Sequence, residues 1–199
     1  MKKYKILMNE TLNINGHELH RIEALCDVGL FVEKGDVGGW VESETSLSQE
    51  GDAWVYDNAL VYGNARVYDD AQVYDNAQVY GNAQVCDNAQ VYGNAQVYGN
   101  AWVYGKAQVY DNAQVYGNAW VYGKARVYDD ARDYDDARIC DDALVYGKAR
   151  VYDNAWVCGK AQVYDNARIC GEARIYGNAQ VCGEAQVYDD DCVTGGLVC

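Results

Sequence analysis

Proline is absent from the 199 residues, and histidine occurs only twice, as His17 and His20. Because no position carries the ring that removes a backbone N–H, tight corners keep every donor for neighbouring segments of chain. Long hydrophobic runs are also missing, since the apolar stretch near the N-terminus stops at Asn9, too early for a signal peptide or a membrane span. We therefore expect a cytoplasmic protein.

Basic residues are scarce beside acidic ones. Lys and Arg number 16 against 30 Asp and Glu, which gives a formal net charge of -14. This excess favours solubility and argues against direct binding to nucleic acid or to an anionic membrane. An acidic surface can nevertheless imitate nucleic acid, so this class of function stays open.

A six-residue unit fills most of the chain. From Ala53 to Tyr188 the pattern Ala-x-Val-Tyr-(Gly/Asp)-(Asn/Asp/Lys/Glu) recurs 23 times without insertion or deletion, with Cys or another residue replacing single positions. Ala and Val are separated by one residue, so both point to one side of a short extended segment while the other two side chains point outward. The last two positions tolerate a turn. This pattern predicts an all-β solenoid, because a helix would space its apolar residues by three and four.

The unit Val-Tyr-Gly-Asn-Ala-Gln resembles the hexapeptide repeat of left-handed parallel β-helices. The resemblance implies a triangular prism with three units in each coil, so that side chains eighteen residues apart stack above one another. The 23 units would then make about 7.7 coils. The segment Lys34–Trp40 resembles the lead-in of the uncharacterised YdcK-like group of hexapeptide-repeat proteins, a resemblance that implies no activity.

The position of the repeat divides the chain into two parts. We predict a cap at residues 1–38 and a β-helix at residues 39–199. Within the β-helix, the repeat is regular over 53–190 and degraded over 191–199. Within the cap, Ile14-Asn15-Gly16-His17 places an Asn-Gly turn between two alternating segments, which indicates a β-hairpin.

Two irregularities border the regular repeat. Two extra residues lie near Gln49 and Glu50, just before the first clean unit. The degraded C-terminal repeat would leave an unpaired strand edge. We therefore expect a homo-oligomer that associates through this end or through a face of the prism.

Sorting the outward residues by eighteen gives three faces. Two of them carry mainly Gln and Tyr, and we interpret both as structural. The third carries Trp and Arg, the residue types enriched at binding hot spots, with Arg138 placed to lie over Trp120 or Trp156. It is predicted to bind a protein, a sugar or a nucleotide-like ligand; alternatively, it only stabilises its own coils. The candidate binding residues are Arg66, Trp102, Tyr104, Trp120, Tyr122, Arg138, Trp156 and Arg174.

Asp133 occupies a position that is Val or Ile in the other units. A buried carboxylate is costly and would protonate or find a partner. Asp130, Asp133 and Asp136 could together hold calcium. The alternative, which we favour, is a tolerated defect with local water, its charge offset by Arg126, Arg132 and Arg138, and we predict no metal site.

Five of the eight cysteines replace Tyr of the repeat. They form no CxxC pair, and outward ladders on different faces do not converge on zinc. We expect free thiols; a disulfide between Cys140 and Cys158, which should stack, is the alternative in an oxidising medium.

Catalysis is not predicted. Hexapeptide acyltransferases of the resembled fold use a catalytic His and a loop that extends from the coils, and the related carbonic anhydrases use three His. Here both histidines lie before the repeat, and no loop interrupts it. We expect no enzyme and no cofactor, but a rigid acidic scaffold that displays side-chain ladders to a partner. The alternatives are a decoy or sponge of the kind that phages use against host defences and, less favoured, an acyltransferase-like enzyme.

Overall fold

The computed structural model describes residues 2–199. The strands are, in chain order, β1 Tyr4–Ile14, β2 His17–Ala24, β3 Val37–Val41, β4 Trp54–Val55, β5 Leu60–Val61, β6 Arg66–Val67, β7 Gln72–Val73, β8 Gln78–Val79, β9 Gln84–Val85, β10 Gln90–Val91, β11 Gln96–Val97, β12 Trp102–Val103, β13 Gln108–Val109, β14 Gln114–Val115, β15 Trp120–Val121, β16 Arg126–Val127, β17 Arg132–Asp133, β18 Arg138–Ile139, β19 Leu144–Val145, β20 Arg150–Val151, β21 Trp156–Val157, β22 Gln162–Val163, β23 Arg168–Ile169, β24 Arg174–Ile175, β25 Gln180–Val181, β26 Gln186–Val187, β27 Cys192–Val193 and β28 Leu197–Val198. Among these residues there is no helix that could cross a bilayer.

Three parallel sheets form the walls of a β-solenoid. One contains nine strands, from β4 to β28; another contains eight, from β6 to β27; the third contains eleven, in which β1 and β2 precede β3. Successive strands of each wall are three units apart in sequence, so the chain turns three corners before it returns to the same wall. The predicted parallel solenoid is therefore confirmed, with eight or nine strands stacked in each wall.

The predicted eighteen-residue register is also confirmed. Gln72 pairs with Gln90, and Trp102 pairs with Trp120. At the start the spacing is twenty, because Trp40 pairs with Leu60, which locates the two extra residues. At the far end Gln180 pairs with Leu197, a spacing of seventeen. The last corner is thus one residue shorter than the others.

The corners explain why each unit continues with Gly or Asp. All 23 residues at the first corner position have positive φ, from Asp57 at 49° to Gly105 and Gly159 at 73°. Glycine adopts this conformation without steric cost, and Asp is among the few other residues that tolerate it. Where Asp lies one coil before Gly, its carboxylate also accepts the free amide N–H of that Gly, as in Gly93 to Asp75 at 3.0 Å. Corner Asp residues therefore hold adjacent coils together.

The Ala and Val of every unit form the core. From Ala53 to Val181 these side chains are at most 1% exposed, and they form one continuous cluster along the axis. Each fully buried Val contributes about 1.5 kcal/mol by leaving water. The small Ala, next to each corner, leaves room for the three walls to meet.

The N-terminal segment packs over the first coil. β1 and β2 are antiparallel and are joined at Asn15 and Gly16, which have positive φ. Tyr4 lies edge-on against Trp54, with ring centroids 6.2 Å apart. The Lys3 ammonium donates to the carbonyl oxygen of Ala53 at 2.9 Å. The same group also donates to the carbonyl oxygens of Glu50 and Gly51, next to the two extra residues.

Trp54 is not the outward residue that its place in the repeat predicts. It is only 1% exposed, because Tyr4 and Gly38 cover it. A Cβ on Gly38 would lie 2.9 Å from the Trp54 indole nitrogen and 2.7 Å from Ile22, so only glycine lets the lead-in pass this closely. Leu60 is buried in the same way, beside Leu19.

Candidate functional site

The three outer surfaces differ in how their side chains are satisfied. We call the walls that contain β4 and β5 the Tyr/Gln faces. The wall that contains β12, β15 and β18 is the Trp/Arg face, and its outward ladder consists of Arg66, Gln84, Trp102, Trp120, Arg138, Trp156 and Arg174.

Tyrosines on the Tyr/Gln faces form long, regular stacks. On one face the rings from Tyr74 to Tyr164 lie 4.8 to 5.1 Å apart, and nearly parallel. On the other, the stack runs from Tyr62 to Tyr152. Gln side chains add axial amide bonds, such as Gln108 to Gln90 at 2.9 Å. Most outward groups on these faces thus have partners of their own kind.

The Trp/Arg face carries a mixed stack instead. Trp102 and Trp120 are stacked with centroids 5.7 Å apart. The Arg138 guanidinium carbon lies 5.4 Å from the Trp120 centroid and 4.9 Å from that of Trp156, and Arg174 lies 5.8 Å from the other side of Trp156. The predicted cation-π contacts of Arg138 are therefore both present, and Arg138 alone among the seven arginines of the repeat is half-buried.

Tryptophan edges on this face remain in solvent. Trp102, Trp120 and Trp156 are 36%, 37% and 39% exposed. Because each inner ring has a neighbour above and below, its faces are covered, and its exposed surface lies at the edge. None of the seven arginines of the repeat makes an ion pair in the described part of the chain. The guanidinium groups of this face therefore have no ion-pair partner within the protein and can donate hydrogen bonds to another molecule.

The remaining candidate residues lie beside this stack. Tyr104 and Tyr122 form a stack of only two rings, 5.0 Å apart, because cysteines occupy the next positions on either side. Burial raises the pKa of Tyr104, with a further contribution from Tyr122. Arg66 lies apart from the Trp residues, over Tyr68 at 5.8 Å. The structure thus brings together seven of the eight predicted residues and leaves Arg66 at one end.

The corners next to this face carry mixed charge. Lys124 pairs with Asp142 at 3.8 Å on one side. On the other, a shallow groove of about 280 Å³ is lined by Asp136, Arg138, Asn154, Trp156, Glu172 and Arg174. The stack is therefore bordered by grooves that polar groups of a partner could enter.

Asp133 points into the core below a Tyr/Gln face. It is 0% exposed, between Val115 and Val151 of the adjacent coils, and neither of its carboxylate oxygens has a hydrogen-bond partner. Burial raises its pKa well above the usual value. The expectation that Arg126, Arg132 and Arg138 offset its charge is wrong, because their side chains lie on the outer surface.

The calcium ligands considered from the sequence do not converge. Asp130 and Asp136 are exposed at corners, while Asp133 lies inside the prism. Asp130 accepts a hydrogen bond from Asn112, and Asp136 accepts one from Asn118. These two carboxylates thus end the axial amide ladders of their corners.

Four cysteines differ from the expectation of free thiols. Cys140 is paired with Cys158, and Cys182 with Cys199, as disulfides. The physical reason is the coil spacing, because stacked residues place their Cα atoms 4.6 and 4.7 Å apart, within the range for disulfides. The spacing of eighteen residues predicts that Cys140 and Cys158 stack. Cys182 and Cys199 are seventeen residues apart, so the eighteen-residue repeat does not predict their pairing.

Both histidines are held within the N-terminal segment. His17 Nδ1 lies 2.9 Å from Glu42, and its ring packs against Tyr62. His20 is 6% exposed, with Nδ1 3.2 Å from the Glu10 carbonyl oxygen. Neither ring lies on the Trp/Arg face.

This fold and surface define a class: three-walled parallel β-solenoids built from hexapeptides. The model of the YdcK beta-solenoid repeat matches residues 53–69, 61–75, 71–87, 89–111, 107–123, 113–129, 137–151 and 167–183, which together exceed half of the chain. The chain belongs to the YdcK beta-solenoid repeat family. The segment 130–136, which contains Asp133, lies between two matched stretches.

A curated relative is the "Uncharacterized acetyltransferase YdcK" of Escherichia coli (strain K12). It is 44% identical to this chain over 48 residues, which is 24% of the chain. The matched segment spans only 14% of that relative's length.

Proposed function

We propose that this protein is a non-enzymatic, cytoplasmic scaffold whose Trp/Arg face binds a partner protein. One observation carries the proposal: the three exposed tryptophans of the described chain, Trp102, Trp120 and Trp156, all lie in the stack that ends at Arg174, beside arginines that make no ion pair. Trp and Arg anchors are characteristic of binding hot spots, where a few residues supply most of the binding energy.

Stacking geometry favours a protein over a sugar or a nucleotide. Those ligands bind aromatic residues through an open ring face. Trp120 lies between Trp102 and Arg138, and Trp156 lies between Arg138 and Arg174, so both faces of these two rings are occupied. A protein surface with carboxylates or backbone carbonyls can instead accept hydrogen bonds from the guanidinium N–H groups of Arg138 and Arg174.

The hydrogen bonds of the corner carboxylates argue against the alternative function of a decoy that imitates nucleic acid. Several of them are engaged by the next coil, as in Gly105 to Asp87 at 2.9 Å and Gly147 to Asp129 at 3.0 Å. A carboxylate that accepts a backbone amide is less available to a protein that binds phosphates.

Acetyl transfer is the alternative supported by the name of the YdcK relative. His17 and His20 are the histidines that such an enzyme could use as a base. Transfer of an acetyl group from acetyl-coenzyme A that disappears in His17→Ala or His20→Ala, with the fold retained, would replace the scaffold proposal.

A conversion variant tests the proposal. Gln is the commonest residue at the outward position of the repeat, so Trp102→Gln, Trp120→Gln and Arg138→Gln together turn the centre of the face into the chain's own Tyr/Gln type and leave Trp156 and Arg174 at its end. We expect native mass spectrometry of protein isolated from its host to show a stoichiometric partner on the wild type, and a loss of affinity of at least about 100-fold in the variant.

The matched control replaces Arg132, Arg150 and Arg168 with Gln. These residues stack on a Tyr/Gln face, so the control changes more charge without touching the proposed surface. Equal loss of the partner in both variants would contradict a specific Trp/Arg interface. A wild type that carries only further copies of itself would point to self-association, and a bound small molecule to the sponge.

A further inference from the structure

A second cluster of chemically reactive groups lies beside the Trp/Arg stack. Cys140 follows β18 and Cys158 follows β21, the neighbouring strands that carry Arg138 and Trp156. The two sulfur atoms and a carboxylate oxygen of Asp141 all lie within 4.8 Å of one another. In the described part of the chain, no other three His, Cys, Asp or Glu residues converge in this way.

Asp141 is oriented by the fold rather than by the cysteines. It occupies the first corner position with φ of 58°, directly after Cys140. Its Oδ2 accepts the backbone N–H of Gly159 at 3.2 Å, which draws the carboxylate along the axis towards Cys158. Oδ1 has no hydrogen bond to the described residues, so one carboxylate oxygen remains available as a ligand.

We propose that Cys140, Cys158 and Asp141 form a redox-gated site for a thiophilic divalent cation such as Zn²⁺. As a disulfide the two sulfur atoms are closed to metal. Reduction by an external dithiol, which itself becomes a disulfide, supplies two electrons and two protons, and metal binding then releases both thiol protons. A tetrahedral ion with Zn–S bonds of about 2.3 Å needs sulfur atoms about 3.8 Å apart, a separation that side chains on adjacent coils can span.

Burial suits a metal site that is open on one side. Cys140 is 4% exposed, Cys158 is half-buried, and Asp141 faces solvent. The protein supplies three ligands, and solvent can reach the fourth position. Two thiolates are ligands that suit zinc, and the carboxylate, a harder ligand, favours Zn²⁺ over the softer Cu(I).

The chain contains its own control. Cys182 and Cys199 also pair between adjacent coils, with Cα atoms 4.7 Å apart, but Gly183 follows Cys182 where Asp141 follows Cys140. After reduction, the second pair is thus a dithiol without the adjacent aspartate.

The test uses full-length protein reduced with a water-soluble phosphine, which becomes the phosphine oxide, and then titrated anaerobically with Zn²⁺ alone in a calorimeter. We expect one Zn²⁺ per reduced chain and none on the oxidised chain. Cys140→Ser with Cys158→Ser should abolish binding, and Asp141→Asn should weaken it at least about tenfold. Cys182→Ser should leave it unchanged.

A spectroscopic readout separates ligation from folding effects. Co²⁺ in the same site should give the visible spectrum of a tetrahedral thiolate complex, and circular dichroism reports whether each variant keeps its β-solenoid. Binding that persists without Cys140 and Cys158, that is equal in Asp141→Asn, or that depends on Cys182 would overturn the proposal. The conversion variant of the Trp/Arg face should bind Zn²⁺ normally, so this test fails or succeeds independently of the docking function.

Discussion

The Tyr/Gln faces and the Trp/Arg face share one backbone, one core and one register, yet they treat their outward groups differently. On the Tyr/Gln faces, long runs of identical rings and amides pair along the axis. On the Trp/Arg face, the tyrosine run is cut by cysteines and the stack alternates indole with guanidinium. The Tyr/Gln faces therefore use most of their aromatic surface within the protein, although exposed arginines such as Arg132 occur there too, whereas the Trp/Arg face also exposes tryptophan edges beside its arginines.

The largest expected effect concerns the core, which both kinds of face share. Asp133→Val should stabilise the protein by about 3 kcal/mol at pH 8, because it removes a buried carboxyl group with no hydrogen-bond partner. Val121→Asp, which adds the same defect beneath the Trp/Arg face, should destabilise the protein by a similar amount if the walls are equivalent inside. Urea denaturation measures both changes.

The gain from Asp133→Val should depend on pH. Burial raises the pKa of Asp133 in the folded state, so the folded chain holds a proton that the unfolded chain loses above about pH 4. Wild-type stability should therefore fall as pH rises towards the folded pKa, while the variant lacks this loss. We expect a larger gain at pH 8 than at pH 5; an equal gain at both would indicate that the carboxylate has found a partner.

An intermediate effect should separate long stacks from short ones. Tyr98 lies between Tyr80 and Tyr116, at 4.8 Å from each, whereas Tyr122 stacks only on Tyr104. Tyr98→Ala should cost about 2 kcal/mol and Tyr122→Ala about 1 kcal/mol, because the first loses two ring contacts and the second loses one. Equal costs in urea denaturation would show that the stacks do not differ in their contribution to stability.

The smallest effect compares one arginine from each kind of face. Arg138→Gln removes two cation-π contacts and should cost about 1 kcal/mol. Arg132→Gln should change stability by less than about 0.5 kcal/mol, because Arg132 stacks next to the like-charged Arg150 and is exposed. Thermal melts of the two single variants provide the measurement. A costlier Arg132→Gln would mean that this face, too, depends on its cations.

Periodicity predicts the fold here because each six-residue unit places the same types of residue in the core and at the corner. Ala and Val specify the core, Gly or Asp specifies the corner, and eighteen-residue stacking then places Arg138 between two tryptophans. The prediction is wrong where a residue's surroundings come from outside its own unit. Trp54 and Leu60 occupy the outward position of their units, but the N-terminal segment buries them. Their apolar side chains, in a position usually held by Gln or Arg, were the feature of the sequence that could have indicated this burial.

Two other features lay beyond the pattern. The pairing of Cys182 with Cys199 depends on the shortened last corner, which no repeat predicts. The carboxylate of Asp141 beside Cys140 and Cys158 depends on a corner hydrogen bond to Gly159, which becomes visible only when coils are stacked.

The most direct test of the central claim is the melting temperature of the conversion variant, measured beside its binding. If the Trp/Arg stack serves a partner, the three changes to Gln should lower the melting temperature by no more than about 8 °C, which corresponds to roughly 2 kcal/mol for a chain of this size, while partner binding is lost. A fall of about 15 °C or more, with binding lost in proportion to unfolding, would show that the stack only stabilises its own coils.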